Sequence, residues 1–197
     1  MATTKAQQIG IWIIAVVLTV GTIGSFVAIV LANDNQAADS ATTQEDYAKQ
    51  LAEYQEQQKA AAEANAANSI AISGYEATTF DAASVTSLQK EILVAGTGDE
   101  VKATDSINAS YFGWTSDGKI FDSSTKKDTN TDTPVTFSLA SVIKGWTDGL
   151  AGQRVGSTVK LIIPSDQGYG ATGSGIIPAN APLVFIVVIH AIDNTSN

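Results

Sequence analysis

The stretch YFGWTSDGKIFDSS (residues 111–124) carries much of the information about the fold. It opens inside a run of β-favouring residues that starts near Asp105. That run meets an Asp-Gly pair at Asp117, a dipeptide typical of tight turns. A β-like run closed by such a turn signal predicts a strand.

The same pattern continues on both sides of this stretch. Further β-like runs are LQKEILVA (residues 88–95), TPVTFSL (133–139), TVKLIIP (158–164) and PLVFIVVIHAI (182–192). One short helix fits between them, from Lys144 to about Ala151. Short strands with a single helix predict the α+β class, with an antiparallel sheet.

Four blocks in order resemble one known family. They are GTGDEV (residues 96–101), the stretch quoted above, FSLASVIKGWTDGLAG (137–152) and IPSDQGYGATGSGIIPANAPLVF (163–185). From about Leu88 to Ile192 the chain is similar to the FKBP-type peptidyl-prolyl cis–trans isomerases. The resemblance implies a twisted antiparallel β-sheet wrapped around one short α-helix, with an active pocket between them.

The resemblance also assigns site residues. The catalytic set that it implies is Tyr111, Phe121, Asp122, Trp146, Tyr169 and Phe185. The substrate-binding set is Phe137, Val142, Ile143 and Ile177. In this scheme Trp146 forms the floor under a proline ring, while Asp122 and Tyr111 lie at the polar edge. The backbone N–H of Ile143 and the hydroxyl of Tyr169 bind the peptide or a macrolide inhibitor.

Such a pocket implies rotation of X–Pro bonds in proline-containing polypeptides, with no metal or cofactor. Val135 and Ser174 stand where many members of the family have an aromatic residue and a histidine. Two other functions therefore stay open: a non-catalytic chaperone or binding module, and an assembly subunit that uses the domain as a scaffold. The single histidine, His190, is interpreted as a strand residue and not as a metal ligand.

Composition excludes several classes of function. The net charge is −9, which argues against a nucleic-acid partner because phosphate binding requires clustered Lys and Arg. The chain has no cysteine, so it has no disulfide and no thiol nucleophile. A cysteine-free chain is compatible with an oxidising exterior.

Residues 10–31 contain no charged side chain. As a helix they would span roughly 33 Å, enough for a ~30 Å hydrocarbon core. Lys5 precedes this segment and Asp34 follows it, so the positive-inside rule places residues 1–9 in the cytoplasm and the remainder outside. We therefore expect a single-pass cell-membrane protein. A cleaved signal peptide is the alternative, although its apolar part is usually shorter, about 7–15 residues.

Residues 32–67 are predicted to be a polar spacer followed by a helical stalk. Thr43 is a candidate N-cap, and the Ala-, Gln- and Glu-rich sequence lacks Gly and Pro up to about Ala67. The apolar residues Tyr47, Leu51 and Tyr54 form a short stripe, which suits a solvated stalk or a weak dimerisation helix. Residues 68–87 form a connecting segment before the isomerase domain at 88–197.

The last run poses a packing problem. If Phe185, Val187 and Ile189 point inward, Ile186 and Val188 point outward, although an exposed sheet face is normally polar. We expect residues 70–85 to cover this outer face.

Overall fold

The computed structural model describes residues 40–193. The helices are α1 (Ser40–Asn68) and α2 (Lys144–Leu150). The strands are β1 (Gln89–Val94), β2 (Ser106–Thr115), β3 (Ile120–Ser123), β4 (Thr125–Lys126), β5 (Thr131–Asp132), β6 (Val135–Ser138), β7 (Thr158–Ile163) and β8 (Leu183–Ile192). Every long run predicted as a strand is one, and the short predicted helix is α2.

Six of the strands form one antiparallel sheet. Its order is β1-β7-β8-β2-β3, and β6 pairs with the opening half of β2 while β3 pairs with its closing half. Strands β2 and β8 run side by side from the Ile107–Ile192 pair to the Thr115–Leu183 pair, so these two long strands form the centre of the sheet. The α+β prediction with a short helix on an antiparallel sheet is confirmed.

Helix α2 lies against β7 at close range. A Cβ on Gly145 would lie 2.4 Å from Cγ2 of Ile163, and one on Gly149 would lie 2.6 Å from Cδ2 of Leu161. Residues four apart share one face of a helix, so the two glycines form a flat strip that lets α2 approach the sheet. This approach carries Trp146, on the same helix, into the main core.

Two hydrophobic clusters lie on opposite faces of the sheet. The main core holds the inward side chains of β8, which are Phe185, Val187 and Ile189. The second cluster holds Phe112, Trp114, Val184 and Ile186. The alternation along β8 therefore follows the predicted pattern.

Residues 71–80 cover the second cluster, as expected. Ile72, Tyr75 and Phe80 pack against it, and the indole N–H of Trp114 donates to the Thr78 carbonyl over 2.9 Å. The covered outward side chain is Ile186, which is 4% exposed. The prediction is confirmed for this residue, and the connecting segment is a packed part of the sheet's outer face.

Helix α1 begins at Ser40, so the predicted N-cap at Thr43 is wrong and residues 40–42 are helical instead of spacer. Ser-Ala-Thr-Thr contains no helix breaker, so the helix extends over it at a small cost in propensity. The predicted helix end near Ala67 agrees with the observed end at Asn68. The proposed membrane span, residues 10–31, lies outside the described residues. Within residues 40–193 no helix has the length and apolarity needed to cross a membrane.

Candidate active site

A shallow apolar pocket opens between α2 and the sheet. Its lining residues come from the start of α2, from the loop after β7 and from β8: Val142, Ile143, Trp146, Tyr169 and Phe185. All five belong to the predicted site. Trp146 is 1% exposed, which fits a ring that forms the floor.

Aromatic rings pack edge-on around Trp146. Tyr111, Phe137 and Phe185 have ring centroids 5.5, 5.1 and 5.4 Å from that of Trp146, with interplanar angles of 74–86°. Phe121 packs in the same way on Phe185, at 5.4 Å. Edge-to-face pairs are favourable and hold the rings at fixed angles, so the pocket wall is preorganised.

Gly113 on β2 makes room for two of these rings. A Cβ there would lie 2.5 Å from Cε1 of Phe185 and 2.6 Å from Cζ of Phe121. Distances this short are incompatible with a side chain, so glycine is what allows both rings to meet behind the pocket. The remaining predicted binding residue, Ile177, is buried in the same core cluster.

Asp122 forms the polar edge and is buried, with 1% of its surface exposed. Its Oδ2 accepts from the Tyr111 hydroxyl, and its Oδ1 accepts from the Ser123 backbone N–H over 2.8 Å. Lys126 Nζ lies 3.4 Å from Oδ1. A buried carboxylate is stable only when donors surround it, and this one is held by charge-assisted bonds.

Burial raises the pKa of Tyr169, and the negative charge of Asp122 raises it further. Burial likewise raises the pKa of Tyr111, and Asp122 adds to the effect through its charge and its hydrogen bond. Both hydroxyls therefore keep their protons to a higher pH than an exposed tyrosine, and that of Tyr111 donates to Asp122. Five of the ten predicted site residues thus line the pocket, Tyr111, Phe121, Phe137 and Ile177 lie in the same core, and Asp122 accepts a hydrogen bond from Tyr111; their individual roles stay predictions.

Comparisons with known proteins address the family directly. The model of the FKBP-type peptidyl-prolyl cis-trans isomerase family matches residues 98–190. An FK506-binding protein of Neisseria meningitidis serogroup A is 42% identical over 102 residues, which are 51% of this chain and 92% of that protein. The chain belongs to the FKBP-type peptidyl-prolyl cis–trans isomerase family.

Other relatives share only the FKBP domain. The FKBP-type isomerase FkpA of Aeromonas hydrophila is 45% identical over 106 residues, covering 54% of this chain and 38% of that protein. The chain thus spans less than half the length of this relative. A solved peptidyl-prolyl cis-trans isomerase of Pseudomonas syringae aligns with a TM-score of 0.49 and 38% identity, over 54% of this chain and 76% of that one.

A second polar cluster in the FKBP domain has the composition of a hydrolase triad but not its order. The Ser110 hydroxyl lies 2.5 Å from Asp132 Oδ2 and 2.6 Å from His190 Nε2. A carboxylate only accepts, so the single hydroxyl proton goes to Asp132 and His190 donates to Ser110. In a nucleophilic triad the histidine takes the serine proton, so this cluster is structural. Ser110 is also buried, at 1% exposure.

One residue at the site was missed by the sequence analysis. Asn65 of α1 donates from Nδ2 to Asp122 Oδ1 over 2.8 Å. It belongs to the predicted stalk, outside the four family blocks, and an Asn in an Ala- and Glu-rich helix carries no signal for such a contact.

Proposed function

We propose that this protein catalyses cis–trans isomerisation of X–Pro bonds in exported or surface polypeptides, while anchored to the cell membrane by residues 10–31. The observation that carries the catalytic part is the apolar pocket over Trp146, walled by edge-on aromatic rings. Membership of the FKBP family supports the same activity.

The chemistry requires a pocket that favours a twisted amide. The barrier to rotation is ~18–20 kcal/mol and reflects lost amide resonance. A planar amide is strongly dipolar and a twisted one is less so, so an apolar site disfavours the planar ground state relative to the twisted state. Only such differential binding accelerates a step. The proline ring stacked on Trp146 is held while the preceding residue rotates.

Two donors can hold the peptide in this pocket. The Tyr169 hydroxyl stays protonated because burial raises its pKa. The Ile143 backbone N–H precedes the first turn of α2 and has no acceptor among residues 40–193. Donors placed on one side of the amide fix one end of the substrate, so the bond rotates about a defined axis. The pocket also suits a macrolide inhibitor, and the Neisseria relative is named for binding FK506.

The location is proposed from sequence alone. The uncharged segment 10–31 is long enough to cross a bilayer, and the charge pattern around it favours a cytoplasmic amino terminus. The FKBP domain would then meet polypeptides as they emerge outside the cytoplasm.

The test is an isomerisation assay on a Phe-Pro peptide with the full chain in detergent, followed by NMR exchange. We expect fast turnover that falls at least about tenfold in kcat/KM for Trp146→Phe and for Asp122→Ala, equivalent to about 1.4 kcal/mol of transition-state stabilisation. Trp114→Phe is the matched control, because Trp114 is also buried but lies in the second cluster, away from the pocket. It should lower stability and keep kcat/KM.

A folded parent without turnover would contradict the proposal. Binding of an unfolded chain that lacks proline would then favour the chaperone, and self-association of the chain would favour the scaffold. Equal losses in the Trp114 and Trp146 variants would show that the assay reports stability and not the pocket.

A further inference from the structure

The carboxyl end of α1 is built onto the active pocket. We call residues 62–69 the helix wall. Ala62 and Asn65 are 4% and 8% exposed, whereas Tyr47 and Leu51, nearer the start of the helix, are 49% and 44% exposed. Among the residues whose side chains the structure describes, 47–69, the helix therefore docks at its carboxyl end, beside Asp122.

Asn65 joins two charged groups of the site. Its Nδ2 donates to Asp122 Oδ1 over 2.8 Å, and its Oδ1 accepts from Lys126 Nζ over 2.7 Å. An ammonium only donates and a carboxylate only accepts, so the amide has one allowed orientation. Lys126 also donates to Ser69 Oγ, over 3.1 Å, so a second wall residue belongs to the same network.

The helix wall also touches the loop between β7 and β8. A Cβ on Gly175 would lie 2.8 Å from the Cβ of Ala62, and Gly175 has a φ of +56°. Only glycine fits both the space and the backbone conformation. The wall thus contacts both the Asp122 carboxylate and Gly175 of that loop.

We propose that Asn65 is a positioning residue of the isomerase: its side-chain amide holds the Asp122 carboxylate and, through it, the Tyr111 hydroxyl and ring beside Trp146. The inference rests on the proposed function. Without Asn65, Asp122 Oδ1 keeps the Ser123 N–H and the more distant Lys126. With one donor fewer the carboxylate is held less firmly, and so is the hydrogen bond that orients Tyr111.

The test compares Asn65→Ala and Asn65→Asp with Asn68→Ala and Asn68→Asp in the full chain. Asn68 is the matched control because its side chain accepts from the Asp128 backbone N–H and, among residues 40–193, makes no hydrogen bond to Asp122 or Lys126. We expect Asn65→Ala to lower kcat/KM roughly tenfold, since a hydrogen bond to a charged group is lost. The loss should lie mainly in kcat, because the apolar binding surface is unchanged. Asn68→Ala should keep both constants.

Asn65→Asp supplies a readout that a purely structural role would not give. It places a second carboxylate against Asp122, with Lys126, Tyr111 and Tyr169 as the other titratable neighbours. Two adjacent carboxylates share a proton at low pH, and that proton replaces the Asn65 donor. Activity should approach that of the parent at low pH and fall as pH rises and the proton leaves. Asn68→Asp should follow the pH profile of the parent.

The NMR cross-peak of the Ser123 amide separates failure of this inference from failure of the proposed function. That N–H is bonded to Asp122 Oδ1, so it should shift in both Asn65 variants and depend on pH in Asn65→Asp, even if the parent does not turn over substrate. An unmoved Ser123 peak together with parental kcat/KM in Asn65→Ala would overturn the inference. The inference would also be overturned if kcat/KM fell equally in Asn65→Ala and Asn68→Ala, in proportion to the loss in the free energy of unfolding.

Discussion

Tyr111 and Tyr169 show how single residues acquire their properties from the fold. The pKa of each hydroxyl is raised, by burial first and by the charge of Asp122 second. The apolar surroundings of the pocket therefore keep both phenols neutral to a higher pH than an exposed tyrosine. A neutral phenol donates a hydrogen bond without placing a charge in the pocket.

These raised pKa values predict an alkaline limit to stability. An unfolded tyrosine ionises near about pH 10, whereas these two hydroxyls keep their protons to higher pH in the folded state. Their contribution to stability is therefore full below about pH 10 and is lost as pH rises beyond it. Tyrosinate absorbance should show two late groups among the five tyrosines of the chain.

Tyr169→Phe and Tyr111→Phe should each remove one of those late groups and leave the other. Ionisation of all five tyrosines near about pH 10, with the far-ultraviolet circular dichroism of the folded state retained, would contradict the expected burial.

At the residue scale, sequence motifs identified most of the residues of the candidate site. The ten predicted residues all come from three of the four blocks, residues 111–124, 137–152 and 163–185, which supply strands, a loop and a helix to this part of the core. Asn65 could not be found in this way, because its partner is separated from it by 57 positions and hydrogen bonding leaves no periodic pattern. A contact between a polar helix and a buried carboxylate becomes visible only when both are placed.

Among the elements, the connecting segment has a packing role in addition to linking α1 to the domain. Residues 71–80 contain no helix or long strand, yet they close the outer face of β2 and β8. The Trp114 indole bond to Thr78 and a backbone bond from Phe80 N–H to the Ser116 carbonyl fasten this segment. The segment replaces water over a sheet face that would otherwise expose apolar surface.

Removing this cover should destabilise the domain. Phe80→Ala is expected to lower the free energy of unfolding by about 1–3 kcal/mol, less than the ~3–5 kcal/mol of a fully buried phenylalanine, because Phe80 is half-buried. Urea unfolding measures the difference. Deleting residues 68–85 should lower the melting temperature.

Tyr47→Ala removes an exposed aromatic residue of α1 and should leave the midpoint of unfolding unchanged. An unaltered midpoint in Phe80→Ala would show that the segment contributes no packing energy.

Most elements were predictable, but the two-residue strands β4 and β5 were not. Strands β2, β7 and β8 have continuous apolar or alternating runs. Such runs indicate a strand and show which side chains point into the core. The β4–β5 pair consists of two residues on each strand, in a polar Lys-Asp-Thr-Asn context with no hydrophobic period. It forms because Asp132 gathers the hydroxyls of Ser110, Ser124 and Thr125, a tertiary effect that local sequence does not encode.

At the scale of the whole molecule, α1 connects the proposed membrane segment to the FKBP domain. The expected order is a cytoplasmic amino terminus, the apolar segment 10–31, a short spacer and then the helix that carries the FKBP domain. This order predicts where the protein is found and whether its amino terminus is retained.

The full chain, with an amino-terminal epitope tag and a carboxyl-terminal alkaline phosphatase, should remain in the membrane fraction after alkaline carbonate washing when it is expressed in bacteria. It should also keep its tag and show phosphatase activity, which requires export. Deletion of residues 10–31 is the control: it should abolish membrane retention and phosphatase activity, while the tag is kept. A soluble, exported product without the tag would instead establish a cleaved signal peptide.

The docking of α1 has a mechanical consequence. The helix has 29 residues and is therefore about 43 Å long. Backbone bonds from Ile70 N–H to Thr125 and from Lys127 N–H to Asn68 clamp its end to the domain. Because these bonds fix the end of α1, the opening of the pocket keeps a constant orientation relative to the helix axis. In the proposed membrane-anchored protein, this fixed angle would set the side from which a polypeptide enters the pocket.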